Sequence, residues 1–244
     1  MTQSIRDLEN TFLRAAKLLV RNPIVVLPGV ILAVFNGLLD MGLRALTDSF
    51  VLFGPGGNAN IGYARSVAVA ILAALISLFI SLIQMLLVTG MATAAWQQSQ
   101  TTLRDGFAML SLRWLPLLGL MAALFTLGLI AAPLAPFTFG VSLVGYIFFC
   151  LYAVPAVTLG KHAPIQAIFE SAQIALENAW PTLTVVLLIF VIAAITGAIS
   201  GLFTEVSPLV GKIVGAILEQ LTVCYVVFVV VGEYLKLRHQ TSEG

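Results

Sequence analysis

The chain has 244 residues, of which 60% are hydrophobic and only 9% are charged. This composition excludes an ordinary soluble domain, in which about a quarter of the residues are charged. The net charge of +1, with the arginines scattered along the chain, also excludes a nucleic-acid-binding surface, which needs a clustered basic patch.

Six apolar stretches are each long enough to cross a bilayer, since a spanning helix needs roughly 20 residues. Lipid leaves the backbone few alternatives to helix, because each N–H and C=O must be bonded internally. The sequence therefore predicts an all-α polytopic membrane protein with six transmembrane helices in a single membrane domain, residues 1–244. The predicted spans are residues 24–46, 66–89, 115–134, 139–159, 182–203 and 208–233. The longest connection, residues 47–63, is predicted to be a turn-rich loop.

The positive charges are distributed unevenly between the two sides of this arrangement. With six spans, the termini and the second and fourth loops share one side, which carries nine lysines and arginines against three on the other. The positive-inside rule then predicts a bacterial inner-membrane protein with both termini in the cytoplasm. A cleaved signal peptide is not expected, because Asp7 and Glu9 lie in the first 21 residues.

The first amphipathic segment precedes the first span. Its apolar residues Leu8, Phe12, Ala15 and Leu19 recur at helical spacing, and the basic residues Arg14, Lys17 and Arg21 lie off that face. This pattern is typical of a helix that lies in the plane of the membrane interface.

The pattern of an amphipathic segment followed by a span occurs twice more in the chain. Residues 11–27 align without gaps to residues 167–183, which pairs Ala16 with Ala172, Leu18 with Ile174, Asn22 with Asn178 and Leu27 with Leu183. Residues 103–118 repeat it less closely. The pattern predicts three units, residues 4–90, 100–160 and 164–238, each an interfacial helix followed by a transmembrane hairpin. The alternative is that any amphipathic entry helix has this appearance.

Prolines and tryptophans mark the predicted entries into the bilayer. Pro23, Pro116 and Pro181 are predicted breaks between interfacial helix and span, because proline suits a first helical turn. An aromatic belt is predicted from Trp96, Trp114 and Trp180.

Two short stretches resemble a known family. They are F-x-x-A-x-x-L-x-x-x-N-P at residues 12–23, with its echo at residues 172–178, and E-Y-L-K-L-R at residues 233–238. The chain resembles the membrane domain attached to some bacterial glycerophosphodiester phosphodiesterases and its free-standing inner-membrane relatives. The phosphodiesterase barrel of that family is absent from this sequence. The resemblance implies a membrane-domain role and assigns no catalytic residue.

Polar side chains inside the spans form the candidate site, because charge within the membrane is costly and marks function by default. One hypothesis is a polar cavity, open to the outer side, that binds a headgroup, an ion or a small solute. The alternatives are a structural network joining the first and sixth helices and a polar patch that faces a partner. The candidate residues are Asn36, Asp40, Arg44, Gln84, Lys212 and Glu219.

Small residues and prolines predict how the spans pack and bend. Gly197-x-x-x-Gly201 and Gly211-x-x-x-Gly215 are predicted to pack the fifth and sixth spans against each other. Pro28 and Pro155 predict kinks in the first and fourth spans.

No catalytic motif or cofactor fingerprint is present, and His162 and His239 have no second ligand at metal spacing. A disulfide is not expected, since Cys150 and Cys224 both lie within predicted spans. The sequence favours a non-enzymatic accessory or membrane-organising protein that engages membrane lipids or a protein partner. The alternative is a small transporter or channel that uses Asp40, Arg44, Lys212 and Glu219. An enzyme acting on lipid headgroups is a third alternative.

Overall fold

The computed structural model describes residues 2–35, 37, 42, 59–138 and 140–242, and for residues 2–9, most of 59–78 and a few later positions it describes the backbone alone. Across this part of the chain the fold is helical and contains no strand, which confirms the all-α prediction. Asn36, Asp40 and Arg44, together with residues 47–58 of the predicted loop, lie outside the described residues.

Nine helical segments follow one another along the described chain. A 3₁₀ turn over Pro23–Val25 opens the second, which is described over residues 26–35. The helices are α1 (Thr2–Arg21), α2 (26–35), α3 (Ala59–Gln98), α4 (Leu103–Leu134), α5 (Val141–Cys150), α6 (Ala153–Thr158), α7 (Pro164–Glu177), α8 (Ala179–Val206) and α9 (Pro208–Ser242).

Five of these segments are long and apolar enough to cross a membrane, with α5 and α6 counted as the single span Val141–Thr158. The bent pair formed by Asn10–Arg21 and Pro23–Phe35, which meet at 87°, brings the number to six if it is counted as one span. The chain is therefore a multi-pass membrane protein, in agreement with the predicted class.

The core lies where α1, α3, α4, α6, α7 and α9 meet. Its largest fully buried side chains include Tyr152, Tyr234, Phe228 and Met91. The middle and later parts of α8 are by contrast apolar and exposed, as Val191 and Leu202 illustrate at 54% and 65%. Such a surface suits contact with hydrocarbon, where exposed apolar side chains carry no penalty.

The contact between α8 and α9 uses only one of the two glycine motifs. A Cβ on Gly211 would overlap Thr204, and one on Gly215 would overlap Ser200. A Cβ on Gly197 or Gly201 would meet nothing within 4 Å, and both glycines are exposed. The prediction is therefore right for the second motif and wrong for the first, because α8 presents Ser200 and Thr204 to α9 instead.

Helices α3 and α4 approach closely at a pair of glycines. A Cβ on Gly90 would lie 2.8 Å from the Asp105 carbonyl oxygen, and one on Gly106 would lie 2.9 Å from that of Leu87. From this crossing α4 continues through Pro116 to Leu134 without interruption. The predicted break at Pro116 is therefore wrong, since membrane helices tolerate an internal proline.

The fourth span is broken between α5 and α6, as Pro155 predicts. Proline cannot donate an N–H to the carbonyl four residues earlier, and its ring clashes there. Ser171 of α7 bonds to the backbone at the break: its hydroxyl accepts a hydrogen bond from Tyr152 N–H (3.0 Å) and donates one to Phe149 O (2.7 Å). A side chain from a neighbouring helix thus satisfies backbone groups inside the bundle.

The turns after α1 and after α7 share one geometry. Asn22 and Asn178, which the sequence alignment pairs, have backbone angles of φ −123°, ψ 62° and φ −120°, ψ 46°. Each side-chain amide donates to the carbonyl four residues earlier, Asn22 to Leu18 O (2.8 Å) and Asn178 to Ile174 O (3.1 Å). The first and third predicted units therefore have the same hinge, whereas the second, in the continuous helix α4, has none at Pro116.

Candidate functional site

The predicted polar face is described only in part. Besides the three residues of the first span, the side chain of Lys212 lies outside the described residues. Glu219 is exposed on the surface of α9. Gln84 is buried, and its Nε2 donates a hydrogen bond to Oε1 of Gln220, which is also buried.

The two glutamines meet above a glycine. A Cβ on Gly29 of α2 would overlap the Gln220 amide and lie 3.1 Å from Gln84 Nε2. The pair thus joins α3 to α9 directly over the backbone of α2. This geometry is the one expected if the polar residues form a structural network, in which polar side chains hold membrane helices together.

An apolar cavity of about 580 Å³ lies between α3, α4, α5, α6, α8 and α9. Its lining includes Met85, Met121, Gly128, Val154 and Val227, and none of the described residues that form it is charged. Glu219 is not part of this lining. The cavity is therefore a hydrocarbon-like space and differs from the polar cavity that the sequence led us to consider.

Trp96 lies at a junction of three helices. Its indole N–H donates to Phe228 O (2.9 Å), and Gly232 of α9 leaves room for its ring. The guanidinium carbon of Arg14 lies 4.7 Å from the ring centroid, and Nη2 of the same side chain donates to Trp96 O (3.3 Å). A cation over an indole face is attracted by the ring quadrupole. Arg14 thus ties α1 to α3 and α9.

Trp96 therefore has a structural role that its predicted place in an aromatic belt did not include. Trp114 and Trp180 are more than half exposed, at 54% and 55%.

The loop between α6 and α7 carries a second group of polar contacts. Glu170 Oε1 accepts a hydrogen bond from the Tyr234 hydroxyl (3.0 Å), and its Oε2 lies 2.7 Å from His162 Nε2. Arg238 Nη1 donates to Leu159 O (3.1 Å). The segment E-Y-L-K-L-R at residues 233–238 thus binds the corner between α6 and α7.

Sequence reasoning missed this group. The sequence indicates only that His162 has no second ligand at metal spacing, and in the structure its side chain is 39% exposed and contacts Glu170. The signal available was the gapless alignment, which places Glu170 opposite Arg14. Arg14 of α1 and Glu170 of α7 are both polar residues through which their helix contacts the rest of the bundle.

The described residues contain no group of three or more His, Cys, Asp or Glu side chains placed to hold a metal ion. Both cysteines are free. Cys224 is buried with its Sγ 3.6 Å from Val25 O, and Cys150 lines the apolar cavity.

Comparison with protein-family models, with curated proteins and with solved structures finds no match for this chain. The resemblance to the membrane domain of glycerophosphodiester phosphodiesterases stays a prediction, carried by the two short stretches quoted above.

Proposed function

We propose that the protein is an accessory or membrane-organising protein of the bacterial inner membrane, with both termini in the cytoplasm. In this proposal it engages lipids or partner subunits and catalyses no reaction. The observation that carries it is the pair of helices α1 and α7, which expose apolar side chains at corresponding positions. The family resemblance, which implies a membrane-domain role, agrees with it.

Helix α1 has three kinds of surface. Ala15 and Leu18 are buried against the bundle, whereas Leu13 and Val20 are exposed at 54% and 80%. The basic residues Arg14, Lys17 and Arg21 are exposed on the remaining arc. A helix with one side on protein, one apolar and one cationic suits the boundary between acyl chains and anionic headgroups.

Helix α7 repeats the apolar part of this pattern. Phe169 and Leu176 align with Leu13 and Val20, and they are exposed at 72% and 63%. Gln173 and Glu177 occupy the positions of Lys17 and Arg21, and they bond to each other (2.8 Å). The polar side of α7 therefore carries a negative charge where that of α1 is positive. Because anionic lipids attract only positive charge, we assign the attraction to anionic lipid to α1 and not to α7.

The transporter alternative requires a water-filled path to the charged residues of the spans. Glu219 lies on the exposed surface of α9, and the described lining of the cavity is uncharged. These observations favour the accessory role over transport.

Spin labels test whether α1 and α7 lie in the interface. In a C150A/C224A background, nitroxides are placed singly on α1 at residues 13, 17 and 20 and on α7 at residues 169, 173 and 176. In reconstituted vesicles we expect collision with oxygen to dominate at residues 13, 20, 169 and 176. Collision with a water-soluble nickel complex should dominate at 17 and 173. A label at Leu202 of α8 is the lipid-facing reference, and equal nickel accessibility at all six positions would refute the proposal.

Lipids and partners are then identified by affinity purification in mild detergent. A reproducible set of bound lipids or subunits supports the accessory role. A monomer that carries neither would contradict it.

A further inference from the structure

The apolar cavity has a buried floor and an open rim. Val154 and Val227 of the floor are 3% and 4% exposed, whereas Phe125 and Leu129 at the rim are 44% and 58% exposed. Along α4 the lining extends from Met121 to Ala132, which is about 16 Å at a rise of ~1.5 Å per residue. The volume of about 580 Å³ lies within the usual range of ligand sites.

The residues that line the cavity determine which kind of molecule can bind there. The hydroxyl of Tyr146 already donates to Leu124 O (3.0 Å), and none of the described lining residues carries a charge. An ion or a polar solute would lose its hydration there without compensation. An apolar molecule would gain dispersion contacts along the whole lining.

A space of this size with an open rim can hold an apolar molecule. Protein interiors are close-packed, and apolar cavities stay free of water but accept apolar molecules. Leu127 and Ile130, next to the rim on α4, are apolar and exposed at 39% and 59%. The rim is therefore continuous with a surface that suits lipid, and the most abundant apolar molecules at such a surface are acyl chains.

We infer that the cavity holds one acyl chain of a membrane lipid, which enters past Phe125 and Leu129. The unbranched side chains of Met85 and Met121 adapt the walls to a flexible chain. This inference deepens the proposed function by naming the ligand class of a site inside the bundle, and it rests on that function only for the bilayer setting.

Photochemical labelling tests the inference on the full chain. The protein is reconstituted in phosphatidylethanolamine and phosphatidylglycerol vesicles that contain phosphatidylcholine with a diazirine midway along one acyl chain. It is then extracted into mild detergent, which dilutes lipid from the outer surface, and illuminated. We expect the adducts that remain to lie on lining residues such as Met121 and Val227, and those on Leu202 of exposed α8 to be lost.

Cavity-filling variants locate the site. Gly128→Phe and Ala132→Phe place a ring within the lining, and they should lower the adduct yield on the other lining residues about fivefold or more by excluding the chain. Ala122→Phe, at an exposed α4 position outside the lining, and Gly197→Phe, at an open position on α8, are the matched controls and should retain the wild-type yield.

The inference is overturned if adducts on the outer surface survive detergent extraction as well as adducts on the lining residues do. It is also overturned if both filling variants leave the adduct yield on the lining residues unchanged. A third contrary result, from a parallel experiment with a free fatty acid that carries the diazirine, is labelling by the fatty acid but not by the phospholipid. The wild-type adduct map decides the matter alone if a filler does not fold. If no adducts remain on the lining residues but the spin labels show that α1 and α7 lie in the interface, the acyl-chain site is rejected and the proposed function stands.

Discussion

Replacement of Ser171 by alanine tests how the broken fourth span is stabilised. The serine hydroxyl bonds to Tyr152 N–H and Phe149 O at the break, and Ser171 and Tyr152 are both 0% exposed. Water therefore cannot replace the hydrogen bond to Tyr152 N–H, whereas the bond to Phe149 O is partly buried. Each lost bond costs about 1 kcal/mol, and a buried group left without a partner costs about 1–3 kcal/mol. We expect Ser171→Ala to lower the free energy of unfolding by about 2–3 kcal/mol.

The measurement is SDS-induced unfolding in mixed micelles, followed by far-UV circular dichroism. Ser111→Ala is the matched control, because Ser111 is exposed and its hydroxyl makes one local bond, to Ala108 O (3.0 Å). Its effect should stay within about 0.5 kcal/mol.

A Pro155→Ala background shows how much of the cost of Ser171→Ala comes from the helix break and how much from lost packing. Pro155→Ala restores a backbone N–H and lets α5 continue toward α6, so Ser171→Ala should cost about 1 kcal/mol less in that background. The reasoning fails if Ser171→Ala is as mild as the Ser111 control, or if its cost is the same with and without Pro155.

Two further substitutions test contacts between helices in the same assay. Gln84→Leu and Gln220→Leu should each cost about 1 kcal/mol, because each leaves the other amide buried alone, and the double variant should cost less than their sum. Strict additivity of the two would show that the glutamine pair contributes nothing. Gly232→Ala should cost about 1–3 kcal/mol, since its methyl group would overlap the Trp96 ring. Gly145→Ala, where a Cβ meets nothing within 4 Å, should be neutral or stabilising, and an equal loss at both glycines would contradict the Trp96 contact.

The features that could be predicted are those with a local physical cause. Helical spans follow from the need of buried backbone groups for internal bonds. The break before Pro155 follows from a missing N–H and a ring clash. The hinges at Asn22 and Asn178 were visible because the same side chain recurs in a gapless alignment, and each amide bonds within its own helix turn.

The features that could not be predicted depend on distant residues. Tyr234 and Glu170 are 64 positions apart, and nothing in the periodicity of either helix pairs them. The Trp96 ring packs against α9 only because residue 232 is a glycine, and nothing near Trp96 in the sequence indicates this. Gly197 and Gly201 face outward because α8 has small residues on more than one face, and composition does not say which face meets α9.

The cavity had no sequence signal at all. Its lining comes from six helices, and each lining residue is an ordinary apolar residue of a span. Gln84, in contrast, was found because a polar residue inside a span is conspicuous. Its partner Gln220 is not among the candidate residues, because an uncharged amide in a span is less conspicuous than the neighbouring charge of Glu219.

The right angle between α1 and α2 has a mechanical consequence. Only Asn22 and the 3₁₀ turn Pro23–Val25 lie between the two helices, and the chain bends by 87° there. Oδ1 of Asn22 also accepts a hydrogen bond from Thr101 N–H (3.0 Å) in the connection between α3 and α4. A spanning helix changes its tilt when the bilayer becomes thinner or thicker. Because the Asn22 side chain bonds both to Leu18 O in α1 and to Thr101 N–H, we expect a change in the tilt of α2 to be passed to α1 and to the α3–α4 connection.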